Sequence, residues 1–261
     1  LMGGGDSPDK TLQIARAAAE EGFTAVKLDP LPSGYQDMTQ SRLIGAARDN
    51  VAATREGAGQ DVDVIVELHR KLTPMVAIAL TESLAEFHPL FVEDPIQIDS
   101  IMSQGEIAQR VTVPIANGER MHSIWEFREL LSHGGPQYVR PDVGLAGGLS
   151  HCKKIAAIAE SYHCAVVTHN FLGPVLTAAS VQLDTCIPNF LTQEYSKADE
   201  SESNRIFKTV LRREGGYIPV PEAPGVGVEL DEDLLASATH EVRDLSNAVP
   251  LRRDGSSAYG G

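Results

Sequence analysis

Glu67, Glu93 and Glu119 stand 26 residues apart, each closing a short apolar run: VDVIVE, PLFVE and VPIANGE. That interval accommodates one strand, one helix and two loops, and an α/β repeat of this length returns a carboxylate to the same rim each time. Carboxylates that converge in this way need a cation. The series continues with Asp142, His169 and Glu194, after QYVRPD, CAVVTH and NFLTQE, and so adds an acid, an imidazole and a further acid. The pattern reads as a metal site with a proton-transfer group beside it.

The rest of the chain fits the same repeat. Residues 8–21 carry apolar side chains at helical spacing up to Gly22, and FTAVKLDP then reads as a strand. A helix is expected over 39–56, stopped by Gly57 and Gly59, before the β-branched strand VDVIVELH. Thr73 and Pro74 supply an N-cap and a first-turn proline for the helix PMVAIALTESLAEF. Further helices are expected near 98–110, 123–132, 150–162 and 174–185, alternating with strands near 114–116, 138–140, 165–168 and 190–193. Short connections between alternating elements imply parallel strands, each helix serving as the crossover.

A chain of 261 residues suits a single (β/α) barrel. Seven strands are legible, and the opening LMGGGD reads as the tail of a truncated first strand. The catalytic barrel is therefore expected over 1–215. Residues 216–261 form a segment rich in Pro and Gly, ending in RRDGSSAYGG, which reads as a frayed tail. The formal charge of -14, from 22 basic and 36 acidic residues, argues against nucleic acid or an anionic membrane as partner. No apolar run approaches the roughly 20 residues of a membrane span. Cys152, Cys164 and Cys186 are odd in number and lack ligand spacing, so they read as reduced residues of a cytoplasmic protein.

Residues two apart on a strand share a face, which groups Glu67 with His69 and Lys27 with Asp29. Ligation by three carboxylates suits a hard divalent ion, Mg²⁺ foremost. An Asp142–His169 hydrogen bond across adjacent strands would fix the imidazole tautomer and raise its basicity. His88, His122, His133, His151 and His163 carry no comparable positional argument and read as surface or helix-end residues. Gly147 and Gly148 are accounted for by helix entry.

Taken in order, VKLD, ELH, VEDP, NGERM, RPDVGLAGG, THNFLGP and QEYS resemble the enolase superfamily, its mandelate racemase subgroup, and within that the sugar-acid dehydratases of the galactonate dehydratase type. The resemblance covers about residues 1–232. It implies a (β/α)₇β barrel beneath an N-terminal α+β capping domain that this chain lacks. It places the metal ligands on Glu67, Glu93 and Glu119, the first of which is Asp in many members. It also places the His–Asp dyad on His169 and Asp142, and a substrate-binding acid on Glu194. A histidine two residues after the first ligand, as His69 is, resembles the dehydratases. Racemising members carry Lys-x-Lys where this chain has Lys27-Leu28-Asp29, which disfavours a two-base racemase and leaves Lys27 to neutralise the substrate carboxylate.

The resemblance therefore implies Mg²⁺-dependent dehydration of a sugar acid to a 2-keto-3-deoxy acid, through loss of the proton alpha to the carboxylate and an enediolate. His169 would serve as base and His69 as acid. The competing readings are an epimerase or lactone cycloisomerase with the same first half-reaction, a non-catalytic metal-binding barrel, and a metal-dependent aldolase. An even-numbered homo-oligomer is expected by family analogy.

Overall fold

Strands β1 (Ala25–Leu28), β2 (Asp63–Glu67), β3 (Phe91–Glu93), β4 (Ile115–Asn117), β5 (Tyr138–Val139), β6 (Ala165–Thr168) and β7 (Phe190–Gln193) succeed one another in the sheet in chain order. The helices are α1 (Pro8–Glu20), α2 (Gln40–Ala58), α3 (Pro74–Ser83), α4 (Ile101–Arg110), α5 (Ile124–Glu129), α6 (Gly148–Ser161), α7 (Pro174–Asp184) and α8 (Glu232–Ser237). A strand β8 (Phe207–Thr209) pairs antiparallel with β9 (Glu229–Leu230) outside that sheet. This computed structural model describes residues 7–201, 205–239 and 251–258. Strand order that matches chain order, with a helix between successive strands, is the TIM-like (β/α)₇β class. The opening LMGGGD lies outside the described residues.

The described residues fall into two compact units, one within Leu1–Asn117, Glu129–Tyr138 and Leu245–Gly261, the other within Gly118–Arg128 and Val139–Asp244. In the first, β1, β2, β3 and β4 pair in parallel, with Leu28 opposite Val66, Glu67 opposite Glu93, and Glu93 opposite Ala116. Leu28, Val64, Val66 and Val92 are fully buried and join Leu80 and Ile107 of the flanking helices in one core. Each such side chain contributes on the order of 1.5–3 kcal/mol of transfer free energy. Ser7 caps α1 by accepting from the Lys10 N–H at 3.3 Å, and Pro8 occupies the first turn.

Gly57 does not stop α2, which continues to Ala58 and ends at Gly59. Its missing side chain serves packing instead. A Cβ at Gly57 would stand 2.2 Å from the Leu12 carbonyl oxygen of α1. Thr73 takes the N-cap position of α3 without a side-chain hydrogen bond. Instead of one helix over 123–132, α5 ends at Glu129 and a π-helical turn, Leu130–Gly134, succeeds it.

In the second unit β6 pairs in parallel with β7. The core there is drawn from β6 and from the inner faces of α6 and α7, with Val166, Ile155, Ala156, Ala159 and Ala178 fully buried. Gly147, with φ +88°, caps α6, as the helix-entry reading requires. All three cysteines are free; Cys152 and Cys164 are buried and Cys186 is exposed. No helix among the described residues is long and apolar enough to cross a membrane.

Candidate metal centre and acid–base groups

In the first unit Glu67 and Glu93 end neighbouring strands as register partners, and both are fully buried. The Lys27 ammonium, on β1, lies 3.3 Å from Glu67 Oε2 and 3.1 Å from Glu93 Oε2. Burial of like charges side by side is costly unless positive charge is close. Lys27 supplies some of it. The residue expected to neutralise a substrate carboxylate is thus hydrogen-bonded to two of the proposed metal ligands.

Strand alternation ceases at Glu67, the last residue of β2, and so does not set the direction of His69. His69 and Arg70 adopt left-handed backbone, φ +48° and +63°. The His69 N–H donates to Glu67 Oε1 at 2.7 Å, and the Arg70 N–H to the Asp94 carbonyl at 2.7 Å. The Arg70 side chain is buried and donates to Asp94 Oδ2 at 2.8 Å, while Asp94 Oδ1 accepts from Asn117 Nδ2 at 3.0 Å. Asp29, one residue past β1, meets His69 Nδ1 at 3.3 Å and also pairs with Lys71. Burial pushes the Asp29 carboxyl up, but the His69 hydrogen bond and the Lys71 charge together hold it below the usual carboxylate value.

In the second unit Glu119 is not a strand residue, since β4 closes at Asn117. Gly118, with φ +131°, makes the turn; a Cβ there would stand 2.6 Å from the Phe127 ring. Glu119 is 5% exposed, and its Oε2 lies 3.4 Å from His169 Nε2. His169 Nδ1 lies 2.7 Å from Asp142 Oδ2, and the two residues form a parallel backbone bridge. Asp142 Oδ1 accepts the N–H groups of Gly144 at 2.7 Å and Leu145 at 3.0 Å. The carboxylate is thereby locked, and the imidazole takes its tautomer from it, with Nδ1–H donating and Nε2 directed toward Glu119.

Glu194 comes directly after β7, and its Oε2 accepts from Arg140 Nη2 at 2.5 Å and from the Asn170 N–H at 3.1 Å. Arg140 is 1% exposed and also donates to the Val167 carbonyl at 3.2 Å. Asn170 Nδ2 donates to Thr177 Oγ1 at 2.7 Å, and Thr177 donates in turn to Asp199. Arg140, Asn170, Arg70 and Asp94 escape notice in the sequence. A buried charge signals itself only through its partner, and these partners are distant in the chain. The one available signal was their position beside the candidates, in RPD, THN, ELHR and VEDP.

Glu67 and Glu93 in the first unit and Glu119 in the second are all buried carboxylates of the kind able to hold a metal ion. Such an oxygen-only donor set fits a hard divalent cation rather than a thiophilic one. Fold and side chains together define a TIM-like barrel with buried carboxylates at its strand ends and a histidine–carboxylate pair. A model described as "Enolase C-terminal domain-like" matches residues 10–234, and the chain belongs to that family of the enolase superfamily. D-galactonate dehydratase of Ralstonia pickettii (strain 12J) is 34% identical over 98% of this chain and 68% of its own length. Among solved structures, an enolase from Agrobacterium radiobacter with Na and L-malate bound superposes with a TM-score of 0.86 at 30% identity, over 99% of this chain and 70% of that one. A mandelate racemase/muconate lactonizing enzyme from Jannaschia sp. CCS1 gives 0.83 at 30% identity, over 91% of this chain. This chain spans 62% of that protein's length.

Proposed function

We propose that this chain is the barrel of a hydro-lyase that dehydrates a sugar acid to its 2-keto-3-deoxy acid. The observation that carries the reading is the 2.7 Å contact of His169 with a doubly anchored Asp142. The D-galactonate dehydratases among its relatives support the reaction class. Malate, the acid bound to the Agrobacterium enolase, is a 2-hydroxy carboxylate, as aldonates are. Aspartate at position 29, where a second base would be lysine, favours elimination over racemisation.

Glu67, Glu93 and Glu119 are the residues that would hold Mg²⁺, which supplies fixed positive charge for the oxygens of an enediolate. His169 removes the alpha proton through Nε2, with Asp142 holding Nδ1–H and stabilising the imidazolium that results. Lys27 adds positive charge beside the substrate carboxylate, and Glu194 hydrogen-bonds that carboxylate or the developing enediolate. His69 gives a proton to the departing beta hydroxyl. One proton and one hydroxide leave as water, and the enol tautomerises to the 2-keto acid.

The test is an aldonate panel with Mg²⁺, scored for 2-keto acid as its semicarbazone, with and without EDTA. His169→Asn should lower keto-acid formation by about 10²–10⁴-fold and stop exchange of the alpha proton with deuterated solvent. Exchange that persists in His169→Asn removes it as the base; epimer or lactone products without keto acid replace the dehydratase assignment.

A further inference from the structure

The Asp29 carboxylate exchanges no proton with substrate in the proposed dehydration, yet three partners hold it. We propose that Asp29 is the positioning partner of His69, forming a second carboxylate–imidazole pair that aims the acid used on the departing hydroxyl. For its chemistry the proposal rests on the dehydratase reading. For its geometry it stands alone.

Three contacts hold the carboxylate. Asp29 Oδ1 accepts the Leu31 N–H at 3.1 Å, which fixes the side chain against its own loop. Asp29 Oδ2 meets His69 Nδ1 at 3.3 Å and the Lys71 ammonium. Lys71 is itself steadied by the Tyr35 ring, whose centroid lies 5.8 Å from Nζ. With His69 and Lys71 together outweighing burial, Asp29 is an ionised acceptor rather than an acid or base in its own right.

The imidazole is held from two directions. Its main chain is pinned by the His69 N–H donating to Glu67 Oε1 at 2.7 Å, and by the neighbouring Arg70 N–H on the Asp94 carbonyl. These bonds leave the ring free to rotate. Asp29 removes that freedom. With Nδ1–H donating to a carboxylate, Nε2 becomes the ring atom that exchanges a proton with substrate. Side-chain exposures of 31% for His69 and 20% for Asp29 keep the pair accessible, unlike the buried ligands Glu67 and Glu93. In Lys27-Leu28-Asp29 the site has thus exchanged a second base for an orienting group.

The first measurement needs no turnover. Two-bond ¹H–¹⁵N spectra of ¹⁵N-histidine-labelled protein near pH 8.5, with His69→Gln for assignment, should show His69 as the Nδ1–H tautomer. Asp29→Ala should return it to the Nε2–H form favoured by free histidine. An Nε2–H tautomer in the unaltered protein, or a spectrum indifferent to Asp29→Ala, overturns the pairing.

The second measurement uses galactonate with Mg²⁺ in deuterated buffer. Asp29→Ala should keep alpha-proton exchange within about threefold while keto-acid formation falls at least about tenfold, a positioning loss carried by kcat rather than KM. Asp29→Asn, which retains an acceptor oxygen, should recover part of it. Equal loss of exchange and elimination makes Asp29 a structural residue and overturns its positioning role. If the unaltered protein shows neither exchange nor elimination on any aldonate while the tautomer behaves as stated, the dehydratase reading fails and the pair stands.

Discussion

Arg140→Met is the substitution whose cost the structure defines most sharply. The guanidinium is 1% exposed, its Nη2 lies 2.5 Å from Glu194 Oε2, and Nη1 donates to the Val167 carbonyl at 3.2 Å. Methionine fills a similar volume, so little of the loss should come from a cavity. What remains is a carboxylate, 9% exposed, deprived of this cation. Removing one partner of a buried ion pair costs about 3–5 kcal/mol, whereas replacing both by groups of matching shape is often nearly neutral. Glu194→Gln in the Arg140→Met background should therefore recover more than half of the loss. With a urea m-value of about 3 kcal/mol/M for a chain of this size, the single variant's midpoint should fall by about 1–1.7 M. Urea titrations monitored by far-UV circular dichroism of the protein, both single variants and the double variant give the full cycle. A single-variant loss below about 1 kcal/mol, or a double variant no better than Arg140→Met, would refute the argument that the charge pair rather than packing carries the energy.

Two further substitutions probe other parts of the argument. Burial raises the Asp184 carboxyl from 3.8 to about 8, the Thr168 hydroxyl at 3.0 Å offsetting only part of that. The folded chain holds this proton more tightly than the unfolded one, so the stability it contributes is full below about pH 4 and lost as pH climbs through about 8. At about 1.4 kcal/mol per pH unit the effect amounts to at most about 6 kcal/mol, and Asp184→Asn should unfold later than the parent at pH 9 but not at pH 4; parallel urea midpoints across that range contradict it. Gly118→Ala forces a Cβ to within 2.6 Å of the Phe127 ring at φ +131°, a backbone angle that alanine rarely adopts, so the turn that presents Glu119 is strained. Calorimetric Mg²⁺ affinity should drop at least about tenfold, since a ligand displaced from its geometry forfeits about 1.4 kcal/mol or more; unchanged affinity refutes the argument that Gly118 sets the position of Glu119.

Periodicity carried much of this protein. Alternation of β-branched runs with amphipathic stretches was sufficient to locate every strand of the sheet, because each is a short apolar run; most are buried, while β7 leaves Phe190 and Leu191 exposed. The 26-residue spacing likewise picked out Glu67, Glu93 and Glu119, and the position of His169 one strand after Asp142 foretold their contact. Spacing along the chain carries no information where regular structure stops. His69 leaves the strand rule at Glu67 through left-handed backbone, Glu119 lies past the end of β4 rather than on it, and Gly57 is set by the approach of α1 to α2.

Buried charge was the least legible quantity. Arg70 and Arg140 look like surface residues in the sequence, and pairing with Asp94 and Glu194 helps make their burial tolerable. Asp29 stood in plain view as a substitution at a base position. Which side chain its carboxylate would hold was decided by the folding of residues 67–71 beside it. A repeat in sequence specifies which groups reach the strand ends; the loops between, where no periodic hydrogen bonding dictates direction, decide what those groups touch.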